Sequence, residues 1–134
     1  MKADTKELIA AAVRAKAKAL APYSQFHVGA AIATRAGRIY DGCNIESSSY
    51  GLTCCAERVA IFKALSEGER DFVCVAVAAD TEEFTTPCGA CRQVLWDYGR
   101  DLDVVLVNRA GATRAFKLKD LLPEAFDEHM FGHA

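Results

Sequence analysis

Apolar residues recur along this chain at two spacings, and the places where one gives way to the other mark the elements. Up to about Leu20 the chain is rich in alanine, with Leu8, Ile9, Ala12, Val13 and Leu20 near helical spacing, which predicts a helix with one apolar face. Pro22 in "APYSQ" cannot continue a helical hydrogen-bond ladder and closes it. "FHVGAAIAT" and "RIYDGCN" then flank Ala36-Gly37 and predict a β-hairpin. Gly29, Ala30, Ala31 and Ala33 are small for a strand, which predicts that other backbone packs closely there.

A polar loop, "IESSSYGLT", leads into a second helix, "CCAERVAIFKALSEG". Cys55, Val59 and Phe62 share one of its faces, Ile61 and Leu65 widen that face, and Gly68 is its stop. "DFVCVAVAAD" is an apolar run of strand length, as expected of a central strand buried on both faces. A third helix runs from Cys88 to Gly99, and "LDVVLVN" and "ATRAFKL" add two strands around a turn at Ala110-Gly111. The tail "KDLLPEAFDEHMFGHA" is expected to hold a short helix and then fray. Strand, helix, strand, helix, strand through the middle predicts one α/β sandwich, a sheet covered by helices with at least one parallel crossover.

At 134 residues the chain reads as a single domain, residues 1–134, able to bury roughly two-thirds of its unfolded surface. A formal net charge of -2 implies no field for a polyanion, and Arg14, Lys16 and Lys18 read as a solvated helix face. No apolar run approaches the roughly 18 residues that span a bilayer, and the charged N-terminal segment lacks the apolar core of a signal peptide. The expectation is a cytoplasmic protein with reduced thiols. Its six cysteines (Cys43, Cys54, Cys55, Cys74, Cys88 and Cys91) are then metal ligands or core residues rather than bridges.

Cys88 and Cys91 are three apart at the start of a helix, so both face one side, and Pro87 sets Cys88 where the helix dipole favours thiolate. By itself this C-x-x-C spacing fits a redox pair or half of a structural zinc site equally well. The chain has no second pair to close such a site. It has "TCCAER", again at a helix start, which offers Cys55 and, two residues on, Glu57. Three protein ligands with a fourth position for water is the arrangement of catalytic zinc, and a carboxylate beside that water is a general acid/base. Cys54 is turned about 100° from Cys55 and reads as a packing residue, as do Cys43 and Cys74.

"CAE" and "PCGAC" fit the all-cysteine form of the zinc nucleobase deaminase signature. "PYSQFHVGAAI", "GCNIESSSYG", "CAERVAIFKALSEG", "PCGACRQVL" and "LLPEAF", spanning Pro22 to Phe126, resemble the motifs of the small free-nucleoside cytidine deaminases, in that family's order. The resemblance implies a three-layer α/β/α sandwich with a mixed five-stranded sheet, one Zn2+ per subunit on Cys55, Cys88 and Cys91, and a homotetramer. It implies hydrolysis of cytidine and deoxycytidine to uridine and deoxyuridine plus ammonia, in pyrimidine salvage. It further implies that the zinc would supply a hydroxide nucleophile for the amine-bearing ring carbon, with Glu57 as the proton shuttle.

By the same resemblance Asn44 and Glu46 hold the sugar hydroxyls, Phe26 lines the base site, Tyr50 ends the binding loop and the Ala56 backbone reads the ring's polar edge. Phe126 matches an aromatic that serves a neighbouring subunit's site. Arg58 is expected to donate hydrogen bonds to thiolates, offsetting the formal -1 of zinc with three sulfurs. Ser47 departs from the asparagine frequent after the glutamate, and His27, His129 and His133 match no ligand. A modified cytosine nucleoside of the blasticidin type is the nearest rival substrate. A nucleic-acid polymer is disfavoured by the acidic charge, and a non-catalytic zinc module or a C-x-x-C oxidoreductase are the rivals from other classes.

Overall fold

The computed structural model describes residues 4–132. The first helix, α1 (Thr5–Lys16), starts where the Asp4 carboxylate accepts the Lys6 N–H at 3.0 Å, and Arg14 and Lys16 sit in its last turn, against the negative end of its dipole. Strands β1 (Val28–Thr34) and β2 (Ile39–Cys43) form the expected hairpin, and α2 spans Ala56–Ser66. A crossover then runs through β3 (Phe72–Ala79), α3 (Gly89–Tyr98) and β4 (Asp103–Val107), and β5 (Thr113–Lys117) and the single turn α4 (Leu118–Leu121) follow.

The sheet order is β2-β1-β3-β4-β5, with β3 in the centre, a parallel β3/β4 pair and antiparallel neighbours elsewhere. Alternation along the strands separates two faces. Ala31, Ala33, Ala76, Ala78, Val105 and Val107 pack with Leu8, Ala11 and Ala12 of α1. Ala30, Ile32, Val75, Val77, Val104 and Leu106 pack with Ala56, Ala60 and Ala64 of α2 and Leu95 of α3. These are the three layers expected, helix on both sides of a mixed five-stranded sheet.

Two helix faces differ from those read off the periodicity. In α1 the buried residues are Leu8, Ala11, Ala12 and Ala15, while Val13 is 42% exposed. The helix ends before Leu20, which instead bridges to Ile45. In α2 the buried face is Ala56, Glu57, Ala60, Ile61 and Ala64, and Phe62 is 45% exposed. The cause is the same in both cases. A Cβ on Gly29 would lie 2.1 Å from the Ala12 carbonyl oxygen, and one on Gly42 would lie 2.6 Å from the Ala60 nitrogen. The helix backbones rest almost on the strands, so only small side chains fit between them and the larger ones turn outward.

Two further expectations are corrected. Lys16 is not a solvated charge: its ammonium lies 2.6 Å from Asp80, tying the end of α1 to the end of β3. Nor does the tail fray over its described part. Gln93 Nε2 donates to the Phe126 carbonyl, Trp96 Nε1 to Asp127, and Arg100 pairs with Asp127 and Glu128. His129 lies in a 3-10 turn, Glu128–Phe131, whose preceding Asp127 caps it, and His133 lies outside the described residues.

The topology places the site. Strand β1 is antiparallel to both β2 and β3, so β2 and β3 run the same way. The loops leaving Cys43 and Ala79 therefore emerge at one edge of the sheet, and the helices they lead to, α2 and α3, begin side by side there. Outside the carboxyl ends of strands is the common place for an α/β ligand site.

Candidate active site

Each of these two helices begins on a cysteine. Cys55 is the N-cap of α2 and Cys88 the N-cap of α3, and neither side chain caps its own helix. An N-cap usually carries an oxygen that accepts an N–H of the first turn. Here a sulfur stands instead, free to face outward while the helix N–H groups and dipole favour its thiolate. Cys91, in the first turn of α3, is fully buried and completes the cluster. The sulfurs of Cys55, Cys88 and Cys91 lie within 4.8 Å of one another, with Cys55–Cys88 at 3.6 Å and Cys88–Cys91 at 3.4 Å.

These spacings suit zinc. Zn–S bonds of about 2.3 Å in a tetrahedron put the sulfurs about 3.8 Å apart. The protein around them is also arranged for negative charge. Arg58 Nη2 donates to the Cys55 sulfur at 3.5 Å and to the Thr53 carbonyl at 3.3 Å, while its buried Nε has no partner. Cys43, Cys54 and Cys74 stand apart from the cluster among the described residues, as expected of packing residues. A second convergence, Asp127, Glu128 and His129, is largely exposed and engaged by Arg100 and Trp96.

The electrostatics follow from burial and from sulfur next to sulfur. A hydrogen bond from Cys91, supported by Arg58 and Cys88, holds Cys55 down at about 5, against its own burial. The same bond to Cys55, together with burial, pushes the Cys91 thiol up. Glu57 is 4% exposed, and burial first, then the negative Cys55, pushes its carboxyl up to about 7. A carboxyl in that state can both take and give a proton near neutrality.

A cleft of about 380 Å³ opens beside the sulfurs, a size ordinary for small-molecule sites. Phe26, Asn44, Glu46, Cys55, Ala56, Glu57 and Cys88 all border it, so most of the residues singled out in the sequence converge on one space. An adjoining hollow bordered by Tyr23, Ser24, Glu46, Tyr50 and Thr53 extends it, with Tyr50 edge-on to Tyr23. Phe126 is elsewhere. It lies beside α3 with Gln93, Asp97, Tyr98 and Phe131, 54% exposed, and takes no part in the cleft of its own chain.

Asn44 and Glu46 are more occupied than the sequence implies. Asn44 Oδ1 accepts the Val28 N–H at 2.9 Å and its Nδ2 donates to the Phe26 carbonyl at 2.7 Å. Glu46 accepts the N–H groups of Tyr23 and Ser24 and the Ser24 hydroxyl, which holds its carboxyl below the ordinary range. Both side chains thus build the 22–28 wall of the cleft. About one N–H on Asn44 and one lone pair on Glu46 remain for a ligand.

Sequence reasoning missed Ser24, Thr53, Thr85 and Thr86, which also border the cleft. For Thr85 and Thr86 a signal existed, since they immediately precede Pro87 and Cys88, the first cysteine of the C-x-x-C pair. Thr53 had none, because its carbonyl matters only once Arg58 has turned back onto it.

The chain is similar to known proteins. Residues 2–107 match the family model for the cytidine and deoxycytidylate deaminase zinc-binding region. Cytidine deaminase of Sporosarcina psychrophila is 46% identical over 132 residues, covering 98% of this chain and 97% of that protein. Cytidine deaminase of Halalkalibacterium halodurans is 49% identical over 124 residues, covering 92% and 94%. The crystal structure of cytidine deaminase from Burkholderia pseudomallei superposes with a TM-score of 0.89 at 49% identity, covering 92% of this chain and 99% of that one. The chain belongs to the cytidine and deoxycytidylate deaminase family, and it is an enzyme.

Proposed function

We propose that residues 1–134 form a single domain that deaminates cytidine and deoxycytidine hydrolytically, giving uridine or deoxyuridine and ammonia, as a step of pyrimidine salvage in the cytoplasm. The reading is carried by the three sulfurs of Cys55, Cys88 and Cys91 meeting where Cys55, Cys88 and the buried Glu57 border one cleft. A redox C-x-x-C pair has no use for Cys55, and a purely structural metal has none for Glu57.

One zinc per chain fits the sulfurs, and when bound it supplies the Lewis acidity that makes water nucleophilic near neutral pH. The rest falls to the chain. Glu57 takes one proton of the attacking water and passes it to the ring nitrogen beside the amine-bearing carbon. It then takes the second proton from the added hydroxyl as the carbonyl forms and gives it to the amino group, which leaves as ammonia when the C–N bond breaks. The Ala56 backbone, at the free N–H end of α2, meets the polar edge of the ring. Phe26 packs on the base, and Asn44 and Glu46 use their remaining hydrogen-bonding capacity on the sugar hydroxyls. Tyr50 closes the sugar end.

The described residues bordering the cleft include no lysine or arginine and do include Glu46, an arrangement unfavourable to a phosphate. Ultraviolet time courses are therefore expected to show turnover of cytidine and deoxycytidine and little of cytidine monophosphate. Zinc-loaded protein that turns over neither nucleoside, but only a blasticidin-type compound, would replace this reading with its nearest rival.

Arg58 offsets the charge of the sulfurs. Arg58→Ala is expected to weaken zinc binding or turnover by about 10- to 100-fold with the fold intact. Unchanged affinity and rate would remove that role. The assembly is proposed to be a homotetramer. Phe126 faces away from its own cleft, and Tyr50 and Leu52, each 75% exposed, are apolar surface for a second copy to cover.

A further inference from the structure

Arg92 follows Cys91 in α3 and has no part in the chemistry above, yet its guanidinium joins two separate pieces of backbone. Nε donates to the Pro87 carbonyl at 2.7 Å and Nη1 to the Leu121 carbonyl at 2.7 Å. Pro87 immediately precedes Cys88, is buried, and lies outside α3, so its carbonyl has no place in that helix's ladder. Leu121 ends the four-residue α4, where the last carbonyls likewise lack helical partners. A rigid planar fork with several donors suits such a double grip, and a lysine ammonium does not reproduce it.

The three sulfurs are not held alike. Cys91 is buried in a helical turn, and Cys55 receives Arg58. Cys88 is exposed, and its sulfur contacts only the other two sulfurs among the described hydrogen bonds. Its position is therefore set by its backbone, and so by the peptide that Arg92 grips.

We propose that Arg92 is a positioning residue for the metal. It clamps the Pro87–Cys88 peptide to α4 and thereby makes the C-terminal segment part of what holds Cys88 against Cys55 and Cys91. This rests on the zinc reading of the site.

The test is the rate at which zinc-loaded protein gives up its metal to excess chelator. It compares the parent with Arg92→Gln, Arg92→Lys and, as a control, Trp96→Phe. The control breaks the Trp96–Asp127 bond between the same helix and the same tail without touching Pro87. Arg92→Gln is expected to release zinc about 10- to 100-fold faster, and to lose kcat with KM little changed, because the cleft walls at Phe26, Asn44 and Glu46 stand on other elements. Arg92→Lys should fall between, and carries the comparison alone if the glutamine variant does not fold. Trp96→Phe should lower the melting temperature and leave zinc release at the parental rate. Parental release from the Arg92 variants overturns the proposal, as does equal acceleration in Trp96→Phe, which would mean general loosening of the tail. A parent that holds no zinc is seen before any variant is made and removes the underlying reading as well.

Discussion

Glu57→Gln is expected to keep its zinc and lose its turnover. Glutamine has nearly the shape of glutamate, so the packing of this 4%-exposed residue at the start of α2 survives. An amide can still hydrogen-bond a water or a ring nitrogen, but it cannot take a proton from one and give it to the other. Removing a positioned acid/base typically costs about 10²–10⁴-fold, and in the proposed reaction one group serves more than one proton transfer, so the loss should lie at or beyond the upper end. Stability should hold or rise, since the variant no longer buries a carboxyl whose proton affinity is already raised by burial. Metal content, melting temperature and an ultraviolet time course on one preparation decide the matter. Comparable rates in parent and variant would overturn the role of Glu57.

Cys91→Ala is expected to lose the metal itself. Cys91 is the buried member of the cluster, fixed in the first turn of α3, and its removal leaves Cys55 and Cys88 as the only sulfurs of the site. Bound zinc should fall to near none, and activity with it. A ligand that binds only the folded state, present at about 1,000 times its Kd, adds about 4 kcal/mol of stability. The variant should therefore melt well below the zinc-loaded parent and close to the chelator-stripped parent. Cys74→Ala, changing a cysteine outside the cluster, is the control that should retain the metal. One tightly held zinc in Cys91→Ala would place the metal elsewhere.

The candidate chemistry was legible because it is local. Cys55 and Glu57 are two residues apart, and Cys88 and Cys91 one helical turn apart, each at a helix start marked by its neighbours. Residues this close at a helix start stay close in space whatever the rest of the chain does, so each group could be read as a unit. The central strand, the hairpin and the third helix were readable for the same reason: period and punctuation are properties of short segments.

What was misread depended on partners distant in the chain. Val13 and Phe62 are large and apolar and lie on helices, yet they face outward because Gly29 and Gly42 bring strand backbone against α1 and α2. The glycines and the run of small residues in β1 were visible, but which helix would settle on them was not. Asn44 and Glu46 were assigned to the site by the family resemblance. Their prior engagement with Phe26, Val28, Tyr23 and Ser24 needed the loop folded back upon them. Arg58 was legible beforehand as a donor to thiolate, and it reaches the Cys55 sulfur. Arg92 is an ordinary cation in the chain, and only the folded backbone supplies the Pro87 and Leu121 carbonyls that it reaches.

Residue order thus settled which groups could do chemistry and how each sits on its own helix, since intrahelical geometry needs nothing from the rest of the molecule. That two helix starts 33 residues apart would set their sulfurs 3.6 Å from each other was decided by the sheet. With β2 and β3 running the same way, both loops leave one edge and both dipoles converge on one point, and no local spacing contains that information.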